Sequence, residues 1–509
     1  MNLLTAAWIP IQDKGVYEKI TLQQLLCGEK EGDICLPRDD MELACLQLLS
    51  AITQTLFTPE NKKALGKYVT RSLTAEDYQS AIQDKLNWFD LDHEDTPFMQ
   101  FRGVIPSKTD PFTNMEKLLA GVADGANKVF VNQRGVGSKL CSGCTAIALF
   151  NMANNAPSVG GGFQGSFRGN TPITVMVKGR TIRESIWLNV LTEESIEKIM
   201  PWHQATKRQA PNFVEKDEPE KEFYCSSIGL TRGLLWQPAH YELYPSIEGN
   251  CNCCGVYGQV YDKFKKEKFK YTMTGSWPHP LSPTKYGINK DNSKFEIKFD
   301  SFTTRAPAWT HLSSFLYLIK NKKDGCSPAP VIEQIQTIIK GERLNIVVGG
   351  YRYKPPQTAT IIERRHDLLI IAQGWEGNEK IVSEIVAIAL SYKKVLRSSL
   401  FSFISQAIIN AVSKKNKDRI GEICSLNEAN YYQQTERLVH DSLASVDFIN
   451  PDYALYDLRE KLKIMVLSLF EQATAPYRQE PKMLKALAMA RRSLHKYLKN
   501  LEPQGEKNE

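Results

Sequence analysis

The pattern of prolines and apolar residues changes near residue 378, and this change limits the folds open to the 509-residue chain. From Asn378 onward four amphipathic stretches follow one another, namely Glu379–Val412, Glu428–Val446, Asp452–Gln472 and Pro481–Leu501. Asn450-Pro451 and Ala475-Pro476 separate the last three stretches, because proline interrupts a helix. Long amphipathic helices joined by short turns are typical of a four-helix bundle.

The sequence before residue 378 has prolines and glycines every few residues and mixes two kinds of pattern. One helix is predicted over Met41–Thr55, with Asp39 and Asp40 as its cap. Four short runs read as strands, namely Thr174–Val177, Ile186–Leu191, Phe295–Phe299 and Leu344–Val348. We therefore predict an α+β protein, with a large mixed α/β domain over 1–377, an all-α four-helix bundle over 378–502 and a disordered tail over 503–509.

Composition excludes several classes of protein. Apolar residues make up 42% and charged residues 24% of the chain, as in globular proteins and unlike disordered or collagen-like chains. No apolar run is long enough to cross a bilayer. Met1–Thr5 carries no basic region ahead of an apolar one, so we expect no signal peptide and a cytoplasmic location. The net charge of +7 permits nucleic-acid binding but does not by itself indicate it, so the evidence has to come from local clusters of basic residues.

Two pairs of cysteines have the spacing of metal-binding hooks. Cys141 and Cys144 form the first pair, and Cys251 forms the second with Cys254 or Cys253 after a gap of 106 residues. In a reducing compartment four such thiols suit a structural zinc site, in which the thiolates fill the coordination shell and leave no position for catalysis. Spacing favours Cys254 over Cys253, and four unrelated buried thiols are the alternative.

Three further segments suggest contacts with nucleic acid, and each has a plainer alternative. Consecutive glycines over 160–162 allow backbone to approach a ligand closely, or form a flexible turn. Lys266, Lys268 and Lys270 alternate along an expected strand and suit phosphate or groove contacts, or form a solvated face. Gln357 follows a proline-stiffened stretch and could insert between bases or read a base edge, or belong to an ordinary loop.

Catalytic motifs are scarce in this sequence. There is no H-E-x-x-H, G-x-S-x-G or P-loop pattern. Glu363, His366 and Asp367 do gather ionisable groups, and on a helix Glu363 would share a face with both of the others. A metal-dependent nuclease would need several such groups around its metal ion.

The chain resembles the large subunit (CasA) of the type I-E CRISPR Cascade surveillance complex. The matching blocks keep the same order nearly from end to end and include Leu36–Leu43, Pro97–Gln100, Met115–Gly121, Phe130–Gln133, Cys141–Phe150, Trp236–His240, Trp277–Pro280 and Glu363–Asp367. The resemblance implies a non-catalytic subunit of an RNA-guided antiviral ribonucleoprotein complex. Such a subunit recognises the protospacer-adjacent motif (PAM) in double-stranded DNA through the minor groove and starts the unwinding that leads to an R-loop.

The resemblance also implies a set of partners, and it implies no association with a membrane. Two partners are nucleic acids: CRISPR RNA, which the subunit binds near its 5′ handle, and the target DNA duplex. The others are proteins: the backbone, small and handle-binding subunits of Cascade, and a nuclease-helicase that the subunit helps to recruit. The mixed N-terminal domain and the C-terminal four-helix bundle of the family agree with the change of pattern near residue 378.

Individual contacts follow from the same resemblance. It assigns RNA-handle binding to Phe130, Val131 and Asn132, PAM binding to Gly160, Gly161, Gly162 and Lys268, and structural zinc to Cys141, Cys144, Cys251 and Cys254. Gln357 matches a glutamine wedge that splits the first base pair, although Pro355-Pro356 lengthen this loop and leave Lys354 and Thr358 as alternatives. Ser158 stands where the family pattern has a glycine, so the approach of this segment to DNA is expected to differ.

Two functions of other classes compete with this interpretation. A metal-dependent nuclease acting on the same target would use Glu363, His366 and Asp367, and it predicts cleavage without the helicase partner. A zinc-stabilised scaffold whose loops never touch DNA predicts that changes at Lys268 and Gln357 leave target affinity unchanged.

Overall fold

The computed structural model describes residues 1–106, 111–122, 135–157, 163–215, 222–288, 295–320, 325–339, 341–352, 363–407 and 414–502, so the predicted tail 503–509 lies outside it. The helices are α1 (Leu22–Leu26), α2 (Asp39–Leu56), α3 (Lys62–Thr70), α4 (Ala75–Ile82), α5 (Ser142–Asn154), α6 (Ile182–Leu188), α7 (Glu193–Ile199), α8 (His203–Thr206), α9 (Asn212–Glu215), α10 (Leu230–Leu234), α11 (Leu312–Leu316), α12 (Pro330–Ile335), α13 (Glu379–Ala407), α14 (Lys414–Ser445), α15 (Asp452–Thr474) and α16 (Pro481–Lys499).

The strands are short and scattered through the first part of the chain. They are β1 (Ile9–Asp13), β2 (Val16–Ile20), β3 (Asp33–Ile34), β4 (Thr113–Asn114), β5 (Leu140–Cys141), β6 (Thr174–Val177), β7 (Glu222–Tyr224), β8 (His240–Leu243), β9 (Ile247–Asn250), β10 (Tyr257–Tyr261), β11 (Lys263–Glu267), β12 (Thr272–Thr274), β13 (Thr284–Ile288), β14 (Phe295–Phe299), β15 (Gly325–Ser327), β16 (Leu344–Arg352) and β17 (Glu363–Ile371). They form small sheets in the orders β2-β1-β3, β5-β10-β9, β4-β11-β8, β12-β7, β14-β13-β15 and β17-β16-β6.

The first of two compact units contains Met1–Thr304, Ser314–Ile339 and Asn345–Leu368. Its central element is α2, which packs against α5 and α6. Between Met41 and Gln54 every α2 side chain except two is buried, so this helix is enclosed on all sides rather than on one face. Asp39 and Asp40, predicted as its cap, lie instead in its first turn, where carboxylates favour the positive end of the helix dipole.

The second unit contains Arg305–Ser313, Lys340–Leu344 and Leu369–Glu509. In it α13 packs against α14, α15 and α16, and α14 packs against α15. Apolar side chains recur at helical spacing along one face of α15 and are buried, namely Leu455, Leu458, Leu462, Val466 and Leu469. The two units confirm the predicted α+β class, a mixed α/β region followed by an all-α bundle.

Two elements differ from the sequence prediction. The run Ile186–Leu191, expected as a strand, begins inside α6, whose start is capped by the Thr181 side chain accepting from the Glu184 amide. A short apolar run alone does not separate a strand from a buried helix. The second bundle helix begins at Lys414 rather than Glu428, because the charged stretch at its start has no apolar periodicity to reveal it.

The other strand predictions hold. Thr174–Val177 and Phe295–Phe299 are β6 and β14, and Leu344–Val348 is the first part of β16. Among the described helices, none is both long enough and apolar enough to cross a membrane.

Candidate functional site

Four cysteine side chains from two distant parts of the chain meet in the first unit. Cys141 ends β5 and Cys144 lies in the first turn of α5, while Cys251 and Cys254 lie in the turn between β9 and β10. These elements come together because β10 pairs with both β5 and β9. The four Sγ atoms all lie within 4.8 Å of one another.

This cysteine cluster can hold a metal ion, and its geometry shows which of the two candidate cysteines is in position to be the fourth ligand. Cys254 belongs to the cluster and Cys253 does not. A tetrahedral zinc–thiolate site has Zn–S bonds of about 2.3 Å, which sets neighbouring sulfurs about 3.8 Å apart. The Sγ atoms of Cys141 and Cys254 are 3.6 Å apart, so the spacing and the all-sulfur donor set both fit zinc.

The surroundings of the cluster favour thiolates. The ammonium Nζ of Lys19, on β2, donates to Cys141 Sγ at 3.1 Å. Hydrogen bonds from Cys144 and Cys251 lower the pKa of Cys141 to about 6, and those from Cys141 and Cys144 lower the pKa of Cys254 further. The same sharing of protons raises the pKa values of Cys144 and Cys251. Two of the four sulfurs therefore already favour the ionised form that a metal ion binds.

Two glycines support the hooks in different ways. Gly255 follows Cys254 with a φ of +76°, a left-handed conformation that closes the turn at low cost. Gly143 lies in α5, where an added Cβ would stand 3.0 Å from the Trp8 carbonyl oxygen. Gly143 thus lets the start of α5 pack closely against Trp8, the residue just ahead of β1.

Lys268 lies just beyond the end of β11, where the chain turns away from the sheet. Its side chain is exposed and lines a cavity of about 620 Å³. The other lining residues are Gln164, His240, Glu267, Phe269, Lys270, Tyr271 and Thr272. Lys266, predicted to share a strand face with Lys268, lies within β11 with its ammonium 5.0 Å from the centre of the Phe163 ring.

Aromatic packing fixes the wall of this cavity. The Phe269 ring stacks on His240 with ring centres 5.1 Å apart, and the Tyr271 hydroxyl donates to the Gly165 carbonyl at 2.8 Å. Phe167 packs edge-on against Tyr271. These contacts bring the residues that directly follow the predicted glycine contacts to the same cavity as Lys268, although the two segments are about a hundred residues apart in the sequence.

Several predicted contacts lie outside the described residues. They are Phe130, Val131 and Asn132, Ser158, Gly160, Gly161 and Gly162, and Gln357 with its alternatives Lys354 and Thr358. The structure describes the elements that flank them in the chain. Helix α5 ends at Asn154 ahead of the glycines, β16 ends before the segment that contains Gln357, and β17 begins after it.

The acidic group proposed for a nuclease is not arranged as a helix. Glu363, His366 and Asp367 lie in strand β17, where neighbouring residues alternate between two faces, so His366 is on the face opposite to the two acids. Glu363 Oε2 is instead 2.5 Å from Arg352 Nη1 in an ion pair. Within the described part of the chain, the cysteine cluster is the only group of three or more such side chains with metal-ligand geometry.

A basic face on α16 escaped the sequence prediction. This helix contains no acidic residue, and exposed cations recur along one of its faces at Lys482, Lys485, Arg492, Lys496 and Lys499. Spacings of three, seven and four residues keep them aligned on a helix. Plotting charged residues at helical spacing would have revealed the face. Arg491, next to it, forms an ion pair with Glu471 of α15.

Comparison with known proteins gives the family. A family model described as CRISPR-associated protein Cse1 matches residues 2–469. The fold is similar to CasA of Thermus thermophilus (15% identity, TM-score 0.73, covering 98% of this chain and 99% of that one). It is also similar to Cse1 of Acidimicrobium ferrooxidans (14%, TM-score 0.71, 98% and 98%) and to a chain of a CRISPR RNA-guided surveillance complex (16%, TM-score 0.65, 97% and 99%). Because the family model spans most of the sequence, the chain belongs to the Cse1 family, also called CasA.

Proposed function

We propose that this chain is a non-catalytic subunit of a CRISPR RNA-guided antiviral complex in the cytoplasm. It recognises the PAM of double-stranded DNA through the minor groove, starts the unwinding that leads to an R-loop, and binds CRISPR RNA near its 5′ handle. It works with the other Cascade subunits and helps to recruit the nuclease-helicase. Membership of the Cse1 family, and likeness to a chain of an RNA-guided surveillance complex, support this role.

The single observation that carries the proposal is the exposed ammonium of Lys268 in a cavity bordered by the residues after the glycines. The minor groove offers a degenerate pattern of acceptors, so one cation and a closely approaching backbone suffice to recognise more than one PAM sequence. Phe269, directly after Lys268, and Tyr271 are both buried, which limits how far the backbone next to Lys268 can move.

Further contacts complete the proposal. We assign contact with the minor groove to Gly160, Gly161 and Gly162 together with Lys268. We assign the role of the wedge to Gln357, and contact with the RNA handle to Phe130, Val131 and Asn132. The wedge has to offset an unstacking cost of a few kcal/mol. Once the first pair opens, RNA pairing makes further strand exchange nearly balanced. Residues 1–377 would carry these contacts.

The cysteine cluster and the helical bundle have supporting roles. We assign structural zinc to Cys141, Cys144, Cys251 and Cys254, which would join two segments of the first unit without taking part in catalysis. The bundle, residues 378–502, would guide the displaced DNA strand, and the basic face of α16 suits a phosphate backbone.

A gel-shift experiment with the RNA-loaded core complex, with and without this chain, tests the proposal. Matched target duplexes carry a randomised PAM. PAM-dependent duplex binding that requires the chain, without cleavage, is the expected result. Binding that the chain does not change would overturn the proposal in favour of a scaffold, and Mg²⁺-dependent cutting by the complex without the helicase would overturn it in favour of a nuclease.

A further inference from the structure

A chain of buried hydrogen bonds begins at the base of the segment that contains the wedge. Tyr351, two residues before this segment (353–362, the wedge segment), donates its hydroxyl hydrogen to Asp40 Oδ2 at 2.7 Å. The same hydroxyl oxygen accepts from Asn151 Nδ2 at 2.7 Å. On the other side of the segment, Arg364 Nη1 lies 3.3 Å from Asp40 Oδ1. Asp40 therefore bonds to one residue ahead of the wedge segment and to one residue after it.

The same chain of bonds continues to the segment that contains the glycines (158–162, the glycine segment). Asn151 Oδ1 accepts from Asn155 Nδ2 at 3.0 Å, and Asn155 Oδ1 accepts from Arg168 Nη2 at 2.6 Å. Arg168 Nη2 also donates to the Asn154 carbonyl at 2.6 Å. Asn154 and Asn155 precede the glycine segment and Arg168 follows it, so this guanidinium joins described residues on its two sides.

Every link of this path is enclosed. Tyr351, Asn151, Asn155, Arg168 and Asp40 are each less than a tenth exposed. Asn155 is held further by Gln47 Oε1 at 2.6 Å from its Nδ2, and Arg168 by hydrogen bonds to Thr174 and Ser282. A buried polar network of this kind is rigid, since a broken link leaves a donor or acceptor without water to replace the partner.

We propose that this buried network, running from Asp40 through Tyr351, Asn151 and Asn155 to Arg168, couples the glycine segment to the wedge segment. Contact of the glycine segment with the PAM would then restrict the wedge segment as well, which assists opening of the first base pair. None of these five residues touches DNA in this scheme, so they are positioning residues. The inference rests on the proposed function, because it assigns a joint role to two segments that the proposal places at the DNA.

The test separates duplex binding from duplex opening. Tyr351→Phe removes one hydroxyl and keeps the ring, and it breaks the links to Asp40 and Asn151 together. The matched control is Tyr78→Phe, because Tyr78 is also fully buried and donates its hydroxyl hydrogen at 2.7 Å, but to the Leu4 carbonyl outside the network. Each variant is assembled as a full chain into the RNA-loaded complex, and thermal melting checks that both fold equally well.

The duplex carries a PAM and 2-aminopurine at the first target base pair, whose fluorescence reports opening. Tyr351→Phe should slow opening by about tenfold, because two hydrogen bonds of modest net contribution are lost with the hydroxyl. It should leave the affinity for the closed PAM duplex within about twofold. A duplex already mismatched at its first pairs should restore wild-type rates. Tyr78→Phe should match the wild type throughout.

A second variant, Asn151→Ala, interrupts the same path one link further on. If the network acts as a unit, the double variant with Tyr351→Phe opens DNA no more slowly than either single variant. Additive effects, normal opening by Tyr351→Phe, or a defect that persists on the mismatched duplex would each overturn the coupling. A wild-type complex with no PAM dependence would overturn the proposed function itself, which keeps the two failures distinct.

Discussion

At the scale of single residues, the cysteine cluster illustrates how neighbours decide what a thiol can do. Cys253 and Cys254 are adjacent in the sequence, yet Cys254 is in the cluster and Cys253 is not. Lys19 adds a positive charge at 3.1 Å from Cys141, which offsets part of the net negative charge that four thiolates leave on a zinc ion. Whether a cysteine of this turn can bind a metal ion thus depends on its place in the turn.

Cys141→Ser should release the metal ion and destabilise the first unit. Structural zinc binding contributes about 10–16 kcal/mol in small domains, which bounds the possible loss. Metal content per chain by mass spectrometry and the thermal melting temperature measure the effect. Cys253→Ser is the control and should change neither quantity; full metal content in folded Cys141→Ser would contradict the site.

Asp40 makes stability depend on pH. Burial would raise the pKa of Asp40, but the hydrogen bonds and charge of Arg38 outweigh it and hold this pKa below the usual value near 3.8. A carboxyl whose pKa is lower in the folded state stabilises the fold above the unfolded pKa and loses that contribution as pH falls through the folded pKa. The stabilising contribution is therefore complete at neutral pH.

Asp40→Asn should accordingly lower the free energy of unfolding at pH 7 by about 3–5 kcal/mol, because it leaves the buried Arg38 without its charge partner. The difference from the wild type should narrow as pH drops below about 4, because the carboxyl of the unfolded wild-type chain is protonated there while the folded one, with its lower pKa, keeps its charge. Chemical denaturation at pH 7, 5 and 3.5 checks this. A difference that is constant across this range would argue against the ion pair as its cause.

At the scale of elements, β11 and α16 each present lysines, but in different settings. Lys268 stands between the end of β11 and the buried Phe269, which restricts where its ammonium can reach. The cations of α16 lie along an exposed helix face, so long flexible side chains can adjust to a phosphate backbone. The first setting suits recognition at one place, and the second suits contact that is independent of sequence.

Lys268→Ala should weaken binding to PAM-bearing duplexes more than binding to a target that is already single-stranded. A contact of this kind is worth about 1–3 kcal/mol, or roughly tenfold to a hundredfold in affinity. Titration of both substrates at one salt concentration measures the difference. Lys298→Ala is the control, since Lys298 lies in β14 and pairs with Glu296. Equal losses on the two substrates would remove Lys268 from PAM recognition.

Neutralising Lys485, Arg492 and Lys496 together to glutamine should reduce the salt dependence of DNA binding. Each phosphate contact contributes about 0.9 to the slope of log affinity against log salt for duplex DNA and about 0.7 for a single strand, so the slope should fall by about 2–3. Binding across a series of NaCl concentrations gives the slope. Arg491→Gln, which breaks the ion pair between α16 and Glu471 of α15, should leave the slope unchanged. An unaltered slope in the triple variant would exclude this face.

At the scale of the whole molecule, the chain forms two compact units of unlike construction. In the first, short strands and a buried helix join residues that are far apart in sequence, as in the bond between Asp40 and Tyr351. In the second, four long helices bury apolar stripes against one another. The cysteine cluster belongs wholly to the first unit.

Removal of the metal ion with a chelator should therefore affect the two units unequally. Amide hydrogen exchange should accelerate in α5 and β10, which carry or adjoin the cysteines, because the cluster no longer joins them. Protection in α15 and α16 should stay as it is in the untreated protein. Mass spectrometry of exchanged peptides measures both; an equal rise in the bundle would show that the cluster stabilises the entire chain.

Local patterns in the sequence were enough to predict the class of the fold, the four C-terminal helices and the two cysteine hooks. These depend on local properties, namely the periodicity of apolar residues and the spacing of thiols, which are present before the chain folds. Local pattern failed at Ile186–Leu191, where an apolar run suited both a strand and a buried helix, and at the start of α14, where charged residues hid the helix.

Tertiary structure alone decided which groups meet. It brought Cys141 and Cys254 together, separated His366 from Glu363 on β17, and joined Tyr351 to Asp40 across 311 residues. Such pairings depend on strand registers and on the packing of α2 and α5, which no local stretch of sequence encodes. The buried polar path had no sequence signal for the same reason, because a buried asparagine or arginine is identified only by the partners that folding brings to it.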